Sequence, residues 1–178
     1  MTAIRDLEKA RRVHVEESLA ALPLVERFEG PIVDVGAGGG APGIPLAAAL
    51  PKREVTLLEA NRRKCDFLRE VAREFANVRI VHGRAEEQET DVFGVAVAKA
   101  LAQPPVALEW CLPLVHEGGG VVLYVGPSAD LGALAAVSEK VGGGRPSAAA
   151  GVVCVPKVRR TPPGFPRRTG IARKRPLA

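Results

Sequence analysis

The 178-residue chain contains few cysteines and few aromatic residues, and it lacks any long apolar run. Its three cysteines are scattered without CxxC spacing, so neither a disulfide framework nor a metal site is predicted. No apolar run approaches the ~18 residues of a membrane span, and the first residues contain no apolar segment typical of a secretory signal. Aromatic residues make up 4% of the chain, which argues against recognition through several stacked rings. A cytoplasmic protein without a membrane partner is therefore predicted.

Basic residues are concentrated towards the end of the chain. Residues 157–178 contain eight of the 25 basic residues and no acidic ones, whereas the preceding residues carry 17 basic and 20 acidic side chains. An acidic body with a basic segment indicates a polyanionic partner that binds at one edge of the protein. The alternative is a disordered segment whose charges serve only solubility.

The hydrophobic pattern predicts an α/β fold. Strands are predicted at residues 32–35, 55–59, 78–81, 92–98, 121–125 and 152–158. Helices are predicted at residues 5–28, 44–50, 62–75, 106–115 and 131–140. Strands that alternate with helices imply a mainly parallel sheet with helices on both faces. The chain is thus divided into an N-terminal helical segment (1–30), one α/β domain (31–158) and a basic tail (159–178).

The first predicted strand runs directly into a glycine-rich turn at residues 36–40. Glycine lets the backbone adopt positive φ and approach a ligand closely. The helix that follows offers unpaired amides at its N-terminus. Glu59 lies 23 positions after Gly36, close to the ~20 expected for an acid that binds the ribose hydroxyls of a nucleotide. The arrangement predicts a nucleotide-binding site.

Two cofactors are compatible with this turn. Gly38, Gly40 and Gly43 fit the GxGxxG pattern of dinucleotide-binding proteins. Asp34, two residues before Gly36, instead favours a ligand with a positive amino group and a sulfonium, because a carboxylate is poorly placed beside a pyrophosphate. S-adenosylmethionine is therefore preferred over NAD, although Asp34 could also serve only to cap the turn.

Several stretches resemble one protein family. The most specific is Asp34-Val-Gly-Ala-Gly-Gly-Gly-Ala-Pro-Gly-Ile-Pro-Leu46, which resembles the signature of ribosomal RNA small subunit methyltransferase G, also called the glucose-inhibited division protein B family. Residues 59–64, 83–86 and 109–114 also match, and residues 160–170 resemble the basic C-terminal signature of the family. The chain is identified as a short member of this family.

The resemblance implies a class I, Rossmann-like methyltransferase that uses S-adenosylmethionine to methylate N7 of a guanine in 16S ribosomal RNA. The partner would be this RNA in the small ribosomal subunit or its precursor, and a monomer is expected. The residues predicted to bind the cofactor, from the turn and from the resemblance, are Asp34, Gly36, Gly38, Gly40, Ala41, Glu59, Ala85, Glu86 and Lys99. Lys99 would also face the target base and is the tentative catalytic residue. The residues predicted to bind RNA are Arg159, Arg160, Arg167, Arg168, Arg173, Lys174 and Arg175.

The chain departs from the family pattern at several places. Ala41 stands where a larger apolar residue is usual, Lys99 replaces an arginine, and Val125 occupies a position usually held by lysine. The N-terminal helical segment is short, and residues 142–150 are too few for the usual sixth strand. These departures leave two alternatives open, namely a degenerate member that binds cofactor or RNA without turnover, and a NAD-dependent oxidoreductase.

Two ring-bearing side chains have competing interpretations. His14 is interpreted as a structural residue, because an isolated histidine is more often packed than functional. Phe165 lies among basic residues and could stack on a base, but packing against the body of the protein is equally compatible with its position.

Overall fold

The computed structural model describes residues 6, 8, 11–126, 129–149 and 151–178, which form a seven-stranded sheet flanked by helices. The strands are β1 (Ile32–Val35), β2 (Val55–Glu59), β3 (Val78–His82), β4 (Phe93–Lys99), β5 (Val115–Tyr124), β6 (Ser147–Ala149) and β7 (Val152–Pro156). Their order across the sheet is β3-β2-β1-β4-β5-β7-β6. Strands β1 to β5 are parallel, and β7 is antiparallel to both of its neighbours. The predicted mainly parallel sheet is confirmed.

The helices are short, and most of them lie where the sequence pattern predicts. They are α1 (Glu17–Leu19), α2 (Leu22–Val25), α3 (Gly43–Ala49), α4 (Arg62–Val71), α5 (Pro104–Cys111), α6 (Leu131–Val141) and α7 (Ile171–Lys174). A π-helical turn, Arg12–Glu16, precedes α1. Residues 5, 7, 9 and 10 of the predicted N-terminal helix lie outside the described residues. Among the described helices, none combines the length and the apolar character that a membrane crossing requires.

The two central strands are buried along their whole length. Every residue of β1 and β2 is buried, although the segments include Asp34, Thr56 and Glu59. Parallel strands covered by helices on both faces are expected to read as continuous apolar runs. The polar members therefore stand out, and two of them, Asp34 and Glu59, lie near the carboxyl ends of their strands.

Strand β5 begins earlier than the sequence predicts. It starts at Val115 and includes the three glycines at residues 118–120, which precede the predicted strand, whereas α5 ends at Cys111 and not at residue 115. A Cβ atom on Gly119 would overlap the carbonyl oxygen of Gly94, and one on Gly120 would overlap the ring of Phe28. These glycines are thus required by close packing inside a strand. Helix α4 likewise ends at Val71 rather than at residue 75, and a 3-10 turn follows it.

The prediction that residues 142–150 are too few for a sixth strand is wrong. Gly142 ends α6 with φ +88° and lets the chain turn back at once, so that three residues suffice for β6. Strand β6 pairs with β7, which ends at Pro156 rather than at residue 158. Pro156 lies beyond residues 152–154, which are the residues of β7 that pair with β6.

The C-terminal segment, residues 159–178, packs against the sheet domain. It is anchored at Lys157, whose Nζ donates to the carbonyl oxygen of Leu112 and to Oγ1 of Thr161, each at 2.8 Å. Nζ also lies 3.6 Å from the carboxylate of Asp91. Burial lowers the pKa of Lys157 to about 8, and the Asp91 carboxylate opposes this shift. The interpretation as a disordered solubilising tail is therefore wrong.

Candidate active site

The glycine turn follows β1 and is held against β2. The amides of Gly36 and Ala37 both donate to the carbonyl oxygen of Leu58, at 2.8 and 3.1 Å. Gly36, Gly38 and Gly40 have φ values of +73°, +56° and +97°, which side chains rarely allow. The conformation that the glycine-rich sequence predicts is therefore present in the turn.

Two cavities open beside the turn, at the carboxyl ends of the strands. The first has a volume of about 410 Å³ and is lined by Val35, Gly36, Leu58, Glu59, Ala60, Asn61, Lys64, Gly83, Arg84, Ala85, Glu86, Ala100, Leu101, Trp110 and Arg173. The second has a volume of about 640 Å³ and is lined by His14, Gly36, Ala37, Gly38, Gly39, Ala41, Lys64, Phe67, Lys99 and Ala100. The two cavities share Gly36, Lys64 and Ala100. Ligands in open parallel sheets bind at this edge.

Glu59 ties the glycine turn to the end of β2. Its Oε2 accepts a hydrogen bond from the amide of Gly38 at 2.9 Å, and its Oε1 accepts one from the amide of Asn61 at 2.8 Å. The residue is only 7% exposed, yet it lines the first cavity. Each carboxylate oxygen can accept a further hydrogen bond. Glu59 is therefore positioned both to shape the turn and to receive hydroxyl groups from a ligand.

Asp34 lies beneath the turn and lines neither cavity. It is 1% exposed, and its Oδ2 accepts a hydrogen bond from the amide of Gly43 at 2.8 Å, at the start of α3. Its Oδ1 has no hydrogen-bond partner among the described residues. Burial raises the pKa of Asp34 to about 7 against the Gly43 hydrogen bond, and the nearby Glu59 charge adds to the rise. The hydrogen bond to the amide of Gly43 corresponds to the capping alternative for this residue.

The far wall of the first cavity joins a loop of the domain to the C-terminal segment. Ala85 is buried there, and Oε1 of Glu86 accepts a hydrogen bond from the amide of Gly170 at 3.1 Å. The guanidinium of Arg173 lies 5.1 Å from the ring centroid of Trp110, and both residues line the cavity. Trp110 Nε1 is buried without a hydrogen-bond partner among the described residues. A buried donor of this kind calls for an acceptor from a ligand or a water molecule.

Lys99 is the last residue of β4 and lines the second cavity. Its Nζ lies 3.0 Å from Oε2 of Glu17, and 5.8 Å from the ring centroid of Tyr124. The hydroxyl of Tyr124 donates to the carbonyl oxygen of Ser18 at 2.5 Å. These contacts fasten the N-terminal helical segment over the second cavity, since Glu17 and Ser18 both belong to α1.

Comparison with known proteins assigns the chain to a family. The family model described as rRNA small subunit methyltransferase G matches residues 1–138. The chain belongs to this family. The ribosomal RNA small subunit methyltransferase G of Alkaliphilus metalliredigens is 32% identical over 197 residues, covering 99% of this chain and 82% of the relative. The protein of the same name from Synechococcus elongatus is 35% identical over 198 residues, again covering 99% and 82%.

Solved structures confirm the fold of this member of the rRNA small subunit methyltransferase G family. A SAM-dependent O-methyltransferase from Thermotoga maritima matches with a TM-score of 0.64 and 16% identity, covering 91% of this chain and 69% of that one. A precorrin-6y C5,15-methyltransferase from Geobacter metallireducens matches with a TM-score of 0.58 and 16% identity, covering 79% and 85%. The predicted class I, Rossmann-like methyltransferase fold is confirmed.

The cofactor residues predicted for this family member lie at three depths. Gly36, Gly38, Ala41, Glu59, Ala85, Glu86 and Lys99 line one or both cavities. Gly40 is buried behind the turn, where a Cβ atom would meet the side chain of Ile44 at 2.8 Å. Asp34 lies deeper still. Val125, another departure from the family pattern, lines a third cavity of about 180 Å³ next to Tyr124 and Gly126.

The seven cations predicted to bind RNA do not form one group. Arg167 donates two hydrogen bonds of 2.5 Å to the buried carboxylate of Glu109, and Arg159 donates to the carbonyl oxygen of Glu139. Arg173 forms part of the first cavity. The remaining four are exposed, and none of them forms an ion pair with another described residue; they are Arg160, Arg168, Lys174 and Arg175. Three of the seven therefore support the fold or the cavity.

Several cavity residues were not among those predicted to bind the cofactor, and one of them, Arg173, was predicted to bind RNA instead. Trp110 and Arg173 complete the first cavity, while His14 and Phe67 line the second. His14 Nε2 is buried without a hydrogen-bond partner among the described residues, which its interpretation as a packed structural residue does not explain. Phe67 offered a signal, because it is a large apolar residue outside the apolar stripe of its helix. Phe165 instead packs against the hydrophobic core, as its second interpretation predicts.

Proposed function

We propose that this protein transfers a methyl group from S-adenosylmethionine to N7 of a guanine in 16S ribosomal RNA. Membership of the rRNA small subunit methyltransferase G family supports the reaction class and the RNA substrate. The observation that carries the proposal is the pair of cavities joined at Gly36, Lys64 and Ala100 beside the glycine turn. Two joined cavities provide room for a nucleoside on one side and for an acceptor base on the other.

The polar groups of the first cavity support binding of the adenosine part. Glu59 keeps acceptor capacity for ribose hydroxyls after its two amide contacts. The unpartnered Trp110 Nε1 donor suits an acceptor nitrogen of a purine, and buried Ala85 gives an apolar wall. These residues fit S-adenosylmethionine, which when bound supplies an electrophilic methyl group on a positively charged sulfur.

The acceptor atom requires no catalytic base, because N7 of guanine carries a free in-plane lone pair. The protein needs to hold donor and acceptor in line and to exclude water, which can supply ~7–11 kcal/mol of the barrier reduction. Lys99 lines the second cavity, where its ammonium can donate to O6 of the guanine while N7 stays free for the attack.

The proposed substrate implies a cytoplasmic enzyme that acts on the small ribosomal subunit or its precursor. The target base has to be unstacked or presented in a loop, as is usual when proteins recognise a specific base in RNA.

A degenerate member that binds cofactor or RNA without turnover is the second candidate. The contact between Lys99 and Glu17 favours it, because an ammonium engaged by a carboxylate is less available to a base. A NAD-dependent oxidoreductase is not supported by the family comparison.

The deciding experiment incubates the protein with labelled S-adenosylmethionine and either unmodified small ribosomal subunits or protein-free 16S RNA. Chemical cleavage at N7-methylguanine should reveal one modified position, and Lys99→Ala should lose turnover while it still binds S-adenosylhomocysteine. Binding without any transfer would identify the degenerate member. Affinity for NAD but not for S-adenosylhomocysteine would contradict both methyltransferase interpretations.

A further inference from the structure

Phe67 is exposed at the second cavity, although it lies on a helix with a well-defined buried side. It is 42% exposed, whereas Cys65 and Leu68 on the same helix are fully buried. Phe67 also lines the cavity that contains Lys99 and the glycine turn. An exposed aromatic ring at the wall of an active-site cavity offers a flat surface to a planar ligand.

The first turn of α4 carries three cations without acidic partners. Arg62, Arg63 and Lys64 are exposed, and none of them forms an ion pair with another described residue. The acids of the same helix are already paired, because Asp66 lies 2.7 Å from Arg69, and Glu70 lies 2.8 Å from Arg73. The helix therefore has a neutralised C-terminal half and a positive N-terminal turn.

Two of these cations, Arg63 and Lys64, share one face of the helix with Phe67. Residues three and four positions apart are neighbours on a helix surface, so Arg63 and Lys64 both lie next to Phe67. Lys64 lines both cavities and brings the positive turn to the place where they join. The side chain of Asn61 already accepts hydrogen bonds from the backbone amides of Arg63 and Lys64, at 3.0 and 3.3 Å. An anion at this turn would therefore be bound by the basic side chains and not by these two amides.

A positive first turn is unfavourable for the helix itself. The N-terminal end of a helix carries a partial positive charge, so acidic residues stabilise it and basic residues do not. No acidic residue lies in the first turn beside these three consecutive cations. Polyanionic nucleic acid offers the missing counter-charge, since lysine and arginine gain affinity from the release of counterions at phosphates.

We propose that Phe67 stacks on the guanine to be methylated, and that Arg63 and Lys64, with Arg62 beside them, bind the phosphates next to it. This inference rests on the proposed function, since it gives the RNA-binding face of the same site. Stacking on the face of the base leaves the in-plane N7 accessible, so the contact positions the acceptor without blocking the attack. The basic turn would hold the RNA backbone at the mouth of the second cavity.

The stacking role is tested by Phe67→Leu, which keeps apolar bulk but removes the aromatic face. We expect the KM for 16S RNA to rise about tenfold, because stacking of one base contributes an effect of this order. The KM for S-adenosylmethionine should change much less, and Phe67→Tyr should restore the KM for RNA. Val71→Ala is the matched control, because Val71 is an exposed apolar residue of the same helix and lines neither cavity.

The phosphate contacts are tested by Arg63→Gln against Arg69→Gln, which makes the same charge change at the other end of α4. Affinity for unmodified 16S RNA is measured over a range of salt concentrations. Arg63→Gln should reduce the slope of log K against log salt by roughly 0.7 to 1, as expected for one phosphate contact. Arg69→Gln should leave the slope nearly unchanged.

The two proposals fail in different ways. Absence of both S-adenosylhomocysteine binding and methyl transfer in the unaltered protein would overturn the proposed function. The measurements of RNA affinity would then test by themselves whether Phe67 and the basic turn bind RNA. Intact transfer with an unchanged KM for RNA in Phe67→Leu would overturn only the proposal that this face binds RNA. Equal salt slopes for Arg63→Gln and Arg69→Gln would do the same.

Discussion

The protein has two basic regions, and they differ in what their charges contact. In the C-terminal segment, Arg167 contacts a buried carboxylate and Arg173 contacts the ring of Trp110, so that these cations hold the segment on the domain. In the first turn of α4, Arg62 and Arg63 are exposed and form no ion pair with a described residue. A concentration of positive charge along the sequence is thus a weak guide to the surface that binds a polyanion, because part of that charge can be used inside the fold.

The largest expected effect lies inside the C-terminal segment. Arg167→Ala should lower the free energy of unfolding by about 3 kcal/mol, because it leaves the buried Glu109 carboxylate without its partner. Arg168→Ala, one residue on and exposed, should stay within about 0.5 kcal/mol of the unaltered protein. Urea denaturation of both variants is the measurement. Equal stability would remove the structural role of Arg167 and return it to the candidate RNA contacts.

The anchor of the segment should show a pH dependence. The pKa of Lys157 falls from its ordinary 10.5 to about 8 in the folded protein, so the unfolded chain binds more protons between these values. Stability contributed through this group therefore rises with pH from about 8 to 10.5, by on the order of 3 kcal/mol. Lys157→Met should abolish this component of the slope in denaturation curves. A slope that is identical in both proteins would contradict the assignment.

Neighbouring cations of α7 should behave differently towards the cofactor. Arg173→Ala should weaken the binding of S-adenosylhomocysteine by about fivefold, or ~1 kcal/mol, because Arg173 forms part of the first cavity. Lys174→Ala removes the same charge from an exposed residue that lines neither cavity, and its affinity should not change. Calorimetry of the two variants compares them directly. Similar affinities would mean that the C-terminal segment covers the cavity without contacting the ligand.

The smallest change in the free energy of unfolding is expected at α4, where the substitutions should stabilise the protein. Arg62→Glu together with Arg63→Glu should stabilise the free protein by roughly 0.3–1 kcal/mol per residue, because acids are favoured at a helix N-terminus. The same variant should bind 16S RNA much more weakly. Thermal denaturation and RNA binding measured on one sample test both parts, and Arg69→Gln is the charge control. A variant that is less stable and still binds RNA would mean that the cations of α4 support the fold and do not bind RNA.

Sequence reasoning worked best where the requirement is local. The positive φ values of Gly36, Gly38 and Gly40 are visible as glycines, and Glu59 is found by its distance from the turn. Sequence reasoning failed where one residue type can serve two structural purposes, as glycine does in loops and at close contacts. The three glycines of β5 look like a loop, but Gly119 and Gly120 are needed by the backbone of Gly94 and the ring of Phe28, which lie far away along the chain.

In the candidate site, too, the local features were predictable from the sequence and the long-range contacts were not. The sequence by itself determined the alternating strands and helices, the glycine turn and the acid after the second strand, because periodicity and backbone sterics act between near neighbours. Only the tertiary structure decided that Lys99 meets Glu17, 82 residues away, and that Arg173 closes the first cavity. Such contacts depend on which segments the order of the strands brings to one edge of the sheet, and no short stretch of sequence encodes that order.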